Sequence, residues 1–276
     1  MRIFISADME GATGVTSIAQ CDSLRPEYGF GRRMQQHDVL AAVRGALDGG
    51  ADEVLVNDAH SHMTNLDVGE WPKGARLISG APKMVGMMEG FDECDGIFFL
   101  CYHAMAGTQC AVLDHTIDPN VVYSVKLNGL EVGEIGINAA AASGKKIPVA
   151  LVTGDDAACR EACALWGDRI VTAAVKRGRG RLAATCLGPE ETYKIIYDAA
   201  IEAAHLVRCK KAPALDFDSS WTAEIAFLKT AQCDVAAALP FVERLDGRRV
   251  RFVGSDLMEM RRYVSAVLDL AGAAPF

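Results

Sequence analysis

From residue 2 to residue 155, short apolar runs alternate with stretches whose hydrophobic positions recur every three to four residues. Residues 2–7 (RIFISA), 53–58 (EVLVND), 75–79 (ARLIS), 96–102 (GIFFLCY) and 148–155 (PVALVTGD) predict strands. Between the first two, Met34, Val39, Leu40, Val43 and Leu47 share one helical face, and Gly49–Gly50 supplies a stop. Residues 122–129 (VYSVKLNG) alternate like an antiparallel edge strand closing on an Asn-Gly turn, and a helix follows from about Gly133. Strands alternating with helices predict a mainly parallel, doubly wound α/β sheet.

Beyond about residue 165 the pattern changes. Residues 189–207 (PEETYKIIYDAAIEAAHLV) read as a long helix with proline in its first turn. Then come residues 215–229, an alanine-rich helix, residues 248–256 (RRVRFVGSD) and a last helix at 257–272. This predicts an α/β domain over 1–165 and a smaller α+β subdomain over 166–276, the second suited to substrate or oligomer contacts.

The composition fits this picture: half of the 276 residues are hydrophobic, enough for a sizeable core. A formal charge of −8, from 28 basic against 36 acidic residues, speaks against nucleic acid or an anionic membrane as partner. No apolar stretch approaches the ~20 residues of a membrane span. The start, MRIFISADMEG, meets carboxylates too early for a secretory signal, so a cytoplasmic protein is expected. The nine cysteines form no Cys-x-x-Cys pair and mostly sit among Ala, Leu and Val, as small buried hydrophobes do in a reducing compartment.

The strand ends carry chemistry. Asp8 and Glu10 follow the first strand, His60 the second, and His103 the GIFFLCY strand, with His115 twelve residues on. Ligands of doubly wound sheets collect at the carboxyl ends of the strands. A lone histidine is more often a hydrogen-bonded or surface residue than a ligand, and His37, His62 and His205 are read that way. Three histidines at equivalent ends beside two carboxylates instead suit Zn, Mn or Fe. Glu134, at a helix start, is a fourth candidate, although an acid there also serves the helix dipole; Glu131 competes with it. Asp155 and Asp156 are read as helix caps. Lys176, Arg177, Arg179 and Arg181 form a basic stretch with two readings of equal weight: a solvated loop, or recognition of a peptide carboxylate.

The sequence resembles the DppA-type D-aminopeptidases, cytoplasmic dinuclear zinc peptidases, nearly end to end. The likeness is carried by SADMEG, EVLVNDAHSHMTNL, FFLCYHAMAGT, LDHTI, LNGLEVGEIGINA, IPVALVTGDD and TAAVKRGRGRLAATCL. The resemblance implies two Zn²⁺ ions per chain, or Mn²⁺ or another divalent metal. It makes Asp8 the bridge between them, with Glu10 and His60 on one ion and His103 and Glu134 on the other. It implies His115 as catalytic residue, moving a proton while metal-activated water attacks the first peptide bond of a short, D-amino-acyl peptide. Asn57 and Asp58 then orient the loop that carries His60. It also implies a homo-oligomer, a decameric ring.

Two rival readings share the opening motif. IFISADMEGATG also looks like the first motif of haloacid-dehalogenase-type phosphohydrolases, where Asp8 would attack phosphorus; that reading leaves His60, His103 and His115 without work. A non-catalytic peptide-binding ring protein is the other, and it does not explain why all five ligand types and His115 are present.

Overall fold

The computed structural model describes residues 1–217 and 220–274. In chain order its first elements are β1 (Arg2–Ala7), α1 (Ile18–Cys21), α2 (Tyr28–Asp48), β2 (Glu53–Asp58), β3 (Ala75–Ile78) and β4 (Gly96–Tyr102). There follow β5 (Val122–Leu127), β6 (Leu130–Val132), α3 (Glu134–Ser143), β7 (Val149–Asp155), α4 (Asp156–Trp166), β8 (Val171–Gly180) and β9 (Ala183–Cys186). The last are α5 (Pro189–Arg208), β10 (Trp221–Phe227), α6 (Thr230–Ala236), β11 (Glu243–Arg244), β12 (Arg249–Gly254) and α7 (Leu257–Gly272).

Seven strands form one sheet in the order β3-β2-β1-β4-β7-β8-β9, parallel throughout except for the last pair. The mostly apolar sequences of β1, whose polar residues are Arg2 and Ser6, and of β4 mark the centre, since a strand covered on both faces carries few polar positions. Every residue of β4 is buried. Helices α2 and α5 cover one face, through Val39, Val43, Ile196, Ala200 and Ala204. Helices α3 and α4 cover the other, through Ile135, Ala139, Ala158 and Ala162. The fold is therefore mixed α/β with a mainly parallel sheet.

A second, antiparallel sheet runs β11-β12-β10-β5-β6. Its strand β10 alternates buried and half-buried positions, as expected of a sheet with one face on a core. That core comprises Trp221, Ile225, Phe252, Met260, Val264 and Leu268, with Ile137 and Ala140 of α3. The β5–β6 turn has Asn128 and Gly129 both at positive φ, +50° and +82°, as the Asn-Gly signal predicts. But β5 is interior, between β10 and β6; the edge is β6. Sheet membership also crosses residue 165: β8, β9 and α5 complete the parallel layer, while β5 and β6 join β10 and β12.

Helix α3 belongs to both cores. Residues 134–142 are all buried, Ile135 and Ala139 against the parallel sheet and Ile137 and Ala140 against the other. A helix buried all round has no solvent stripe to read, which is why its sequence, EIGINAAAAS, shows no clear amphipathic period.

The parallel order reverses at β1, whose neighbours are β2 on one side and β4 on the other. Crossovers leave in opposite directions there and open a crevice at the carboxyl ends. The ladder continues past the strand ends: Asp8 N donates to Leu100 O at 2.9 Å and Gly11 N to Cys101 O at 2.7 Å. Gly11 is required by this approach rather than by a turn, because a Cβ there would stand 2.0 Å from Tyr102 O. Gly11→Ala is expected to cost ~1–3 kcal/mol or more of stability by forcing these backbones apart. An unchanged urea midpoint would show that the approach is not needed.

Candidate metal centre

Strand register sets the site. Ala7 stands level with Asp58 on one side and Leu100 on the other, so the residues just beyond reach the same edge. Asp8, Glu10, His60, His103 and Glu134 are all buried there, and His115 is nearly so. Asp8, Glu10, His60, His115 and Glu134 line a cavity of about 870 Å³, with His103 behind them. Asp8 lies between His60 and His103: Oδ1 is 3.3 Å from His60 Nδ1, and Oδ2 is 3.4 Å from His103 Nε2. Glu10 Oε2 is 3.0 Å from His60 Nδ1, and Glu134 Oε1 is 3.3 Å from His103 Nε2. Glu131, the rival carboxylate, is exposed on β6 and outside the cluster. His115 stacks on His103 with centroids 3.8 Å apart, its Nε2 3.7 Å from Glu134 Oε1. His37 is tied to Asp38, and His62 and His205 are exposed.

The outward nitrogen of each site histidine fixes its tautomer. A backbone carbonyl can only accept, so the nitrogen facing it carries the proton. His60 Nε2 faces Cys21 O at 2.9 Å, His103 Nδ1 faces Ala104 O at 3.0 Å, and His115 Nδ1 faces Leu113 O at 2.8 Å. The lone pairs of His60 Nδ1 and His103 Nε2 are thereby turned onto the carboxylates, His60 by one ring nitrogen and His103 by the other. Asp8 Oδ2, Glu10 Oε2 and His103 Nε2 are buried without a hydrogen-bond partner among the described residues. Lone pair facing lone pair is repulsive, and a cation between them removes the conflict.

With no cation bound, a proton on each inward nitrogen relieves the same conflict: burial opposes it, but Glu10 at His60 and Glu134 at His103 outweigh burial and hold both imidazoles well above their ordinary range. Burial, then the Glu10 charge, pushes Asp8 up to about 7. Burial also opposes ionisation of Glu134 and Glu10, but His103 outweighs it at Glu134, held at about 2, and His60 does so at Glu10. Burial and the His103 ring hold His115 below the ordinary imidazole range. Three buried carboxylates and two buried imidazoles fit divalent zinc, with oxygen and nitrogen donors and no thiolate. Cys101 Sγ is buried against Asp38, and its thiol is held well above the usual range, first by burial.

Several residues outside the cluster hold its loops in place. Lys176, in the basic stretch, is neither solvated nor facing substrate. A one-residue bulge between the pairs Gly154–Ala174 and Asp155–Lys176 turns its side chain inward. Its ammonium donates to the carbonyls of Glu10, Ala12 and Val15 at 2.6, 2.8 and 2.6 Å, fixing the loop behind Glu10. Asp58 closes the His60 loop by accepting from Asn65 Nδ2 at 2.7 Å and Leu66 N at 2.9 Å. Asn57 accepts from Lys83 Nζ at 2.7 Å. Asp155 caps α4, accepting from Ala158 N at 2.8 Å, and Asp156 accepts from Gly178 N.

Glu161 of α4 accepts from Met105 N at 2.7 Å, two residues after His103, while a Cβ on Gly133 would stand 2.8 Å from its Oε1. It therefore braces the segments bearing His103 and Glu134. Burial pushes its carboxyl up to about 7. The unfolded chain releases this proton near its ordinary value, so stability falls as pH rises through that window to 7, by at most about 1.4 kcal/mol per pH unit. Glu161→Gln is expected to flatten that part of the pH slope. Urea midpoints of the two proteins at pH 5.5 and 8 check it; parallel slopes would overturn it.

A buried carboxylate–imidazole cluster at the switch point of a parallel α/β sheet makes this a candidate metal centre. A family model described as D-aminopeptidase matches residues 1–266. The chain is 33% identical over 281 residues to the D-aminopeptidase of Bacillus subtilis (strain 168), covering all of both chains. It superposes on the solved structure of the Zn-dependent D-aminopeptidase DppA from Bacillus subtilis, a self-compartmentalizing protease, with a TM-score of 0.93, 33% identity and full coverage of both. The chain belongs to the D-aminopeptidase family, whose members are peptide-bond hydrolases.

Proposed function

We propose that this protein is a dinuclear zinc aminopeptidase that removes the N-terminal residue of short peptides, D-amino-acyl peptides among them. The observation that carries the reading is the placement of Asp8, with one carboxylate oxygen toward each ligand histidine. Asp8 is then the shared ligand, Glu10 and His60 hold one ion, and His103 and Glu134 hold the other. Divalent cations there supply Lewis acidity, polarising the peptide carbonyl and acidifying water.

The chain's own residues do the rest. Cys21 O, Ala104 O and Leu113 O lock the three histidine tautomers, so His115 presents an unprotonated Nε2 to the cavity. That nitrogen takes a proton as water attacks and returns it to the leaving amine. Stacking against His103 and the Nδ1 bond to Leu113 O keep the ring aimed, so little reorganisation is needed. The burial of the cluster excludes bulk water from these contacts.

A cytoplasmic homo-oligomer, a decameric ring as the resemblance implies, belongs to the same reading. Exposed Leu24, Met84, Tyr123 and Leu130 support it as apolar surface for contact between copies. Among the described residues no helix is long and apolar enough to cross a membrane.

Metal analysis is expected to give two zinc ions per chain, with chelation abolishing release of the N-terminal residue and lowering the melting temperature. His115→Ala should keep the metal and lose roughly 10²–10⁴ in kcat. Magnesium-dependent phosphatase activity that survives His115→Ala and is lost in Asp8→Asn would instead establish the phosphohydrolase. Bound metal without turnover of any peptide would establish the binding protein.

A further inference from the structure

The cavity above the metal cluster is walled by three cations: Lys83, Arg181 and Arg261. Two are already committed. Lys83 Nζ donates to Asn57 Oδ1 and Asp58 O at 2.7 Å and to Ile78 O at 3.4 Å, which uses its three protons. Arg181 is largely exposed and paired with Asp114, 3.3 Å from its Nε.

Arg261 differs. It lies on α7 with 3% of its surface exposed, as deep as a core residue. Its Nε donates to Asn138 Oδ1 at 3.1 Å and its Nη1 to Ser265 Oγ. Nη2 has no acceptor among the described residues, and no carboxylate there lies within ion-pairing distance; Glu134 and Asp269 reach it only through their field. Nη2 stands against Gly86, another wall residue, where an added Cβ would come within 3.2 Å. A guanidinium has five donors, and three of them are unused here. Burying such a group without a counter-charge is costly unless an anion arrives to pair with it.

Helix α3 sets its distance from the metal cluster. Arg261 grips Asn138, four positions after Glu134 on the same helix face, or about 6 Å of rise. One or two extended residues span that length at ~3.3–3.6 Å each. Asn138 is itself held, its Nδ2 donating to Tyr102 Oη at 3.0 Å, and Tyr102 Oη bonds Ser6 Oγ at 2.7 Å. The guanidinium is thus preorganised from β1, β4 and α3.

We infer that Arg261 is the anchor for the C-terminal carboxylate of the peptide, so the site prefers di- and tripeptides with a free carboxylate over their amides. Nη1 and Nη2 form the fork that matches a carboxylate, which a lysine cannot reproduce. The inference rests on the aminopeptidase reading, in which the metal cluster holds the other end of the peptide.

The test compares one dipeptide with its C-terminal amide, on zinc-loaded wild type and on Arg261→Gln, Arg261→Lys and Arg181→Gln. Wild type should prefer the acid by roughly 10- to 100-fold in kcat/KM, chiefly through KM. Arg261→Gln should bring the ratio close to one, Arg261→Lys should lower it, and Arg181→Gln should keep it. A wild-type ratio near one, or one that collapses in Arg181→Gln and survives in Arg261→Gln, overturns the anchor while leaving the aminopeptidase in place. If neither compound is cleaved, the aminopeptidase reading fails, and calorimetric titration of the same pair decides the anchor. Tighter binding of the acid, weakened by Arg261→Lys, supports it, and equal affinities overturn it. The wild-type comparisons need no variant, so a misfolded Arg261→Gln does not blunt the test.

Discussion

Mutual repulsion among three buried carboxylates governs this structure. Asp8 and Glu10 cluster with His103, and Glu134 reaches the same imidazole at 3.3 Å, all of them buried, where like charges interact strongly. Without compensation one of them must keep its proton, and Asp8, the central one, is the group pushed up to about 7. Everything around the cluster holds the charges in place. Lys176 pins the loop behind Glu10, Glu161 braces the segments of His103 and Glu134, and carbonyls select the imidazole tautomers. The arrangement is expensive as a fold and useful as a receptor for cations.

Much of the fold was legible because its cause is local. A strand covered on both faces carries few polar positions, so RIFISA and GIFFLCY could be read directly. Asn128–Gly129 could be read because only a few residues tolerate two successive positive φ values. What escaped was pairing between distant segments. Nothing in VYSVKLNG says that β10, about a hundred residues later, will lie beside it and make it interior. Helix α3 was legible as a helix and not as the element shared by two cores, since a helix buried on all sides loses its periodic signature.

The candidate site divides the same way. Asp8, Glu10, His60 and His103 stand at strand ends, and parallel strands deliver their ends to one edge, so strand prediction alone brings them together. Glu134 and His115 were candidates from their places at a helix start and after a strand, the family likeness separated Glu134 from Glu131 and gave His115 its role, and the structure puts both beside His103. Lys176 could not be read, because the bulge that turns it inward reverses the alternation its neighbours announce. Glu161 and Arg261 are ordinary polar positions of amphipathic helices until the tertiary fold buries them.

The position of α3 gives the metal cluster a mechanical meaning. Asp8 belongs to the parallel sheet, whereas Glu134 begins a helix whose opposite face is the floor of the antiparallel one. A cation shared by Asp8, His103 and Glu134 would act as a rivet between two layers, joining segments nearly half the chain apart. Closing so long a loop removes freedom from the unfolded chain as well as ordering the native one. Occupancy of the cluster and the seating of one sheet on the other would then be coupled. Changes deep in the antiparallel layer, far from any reacting atom, would be felt as changes in metal affinity.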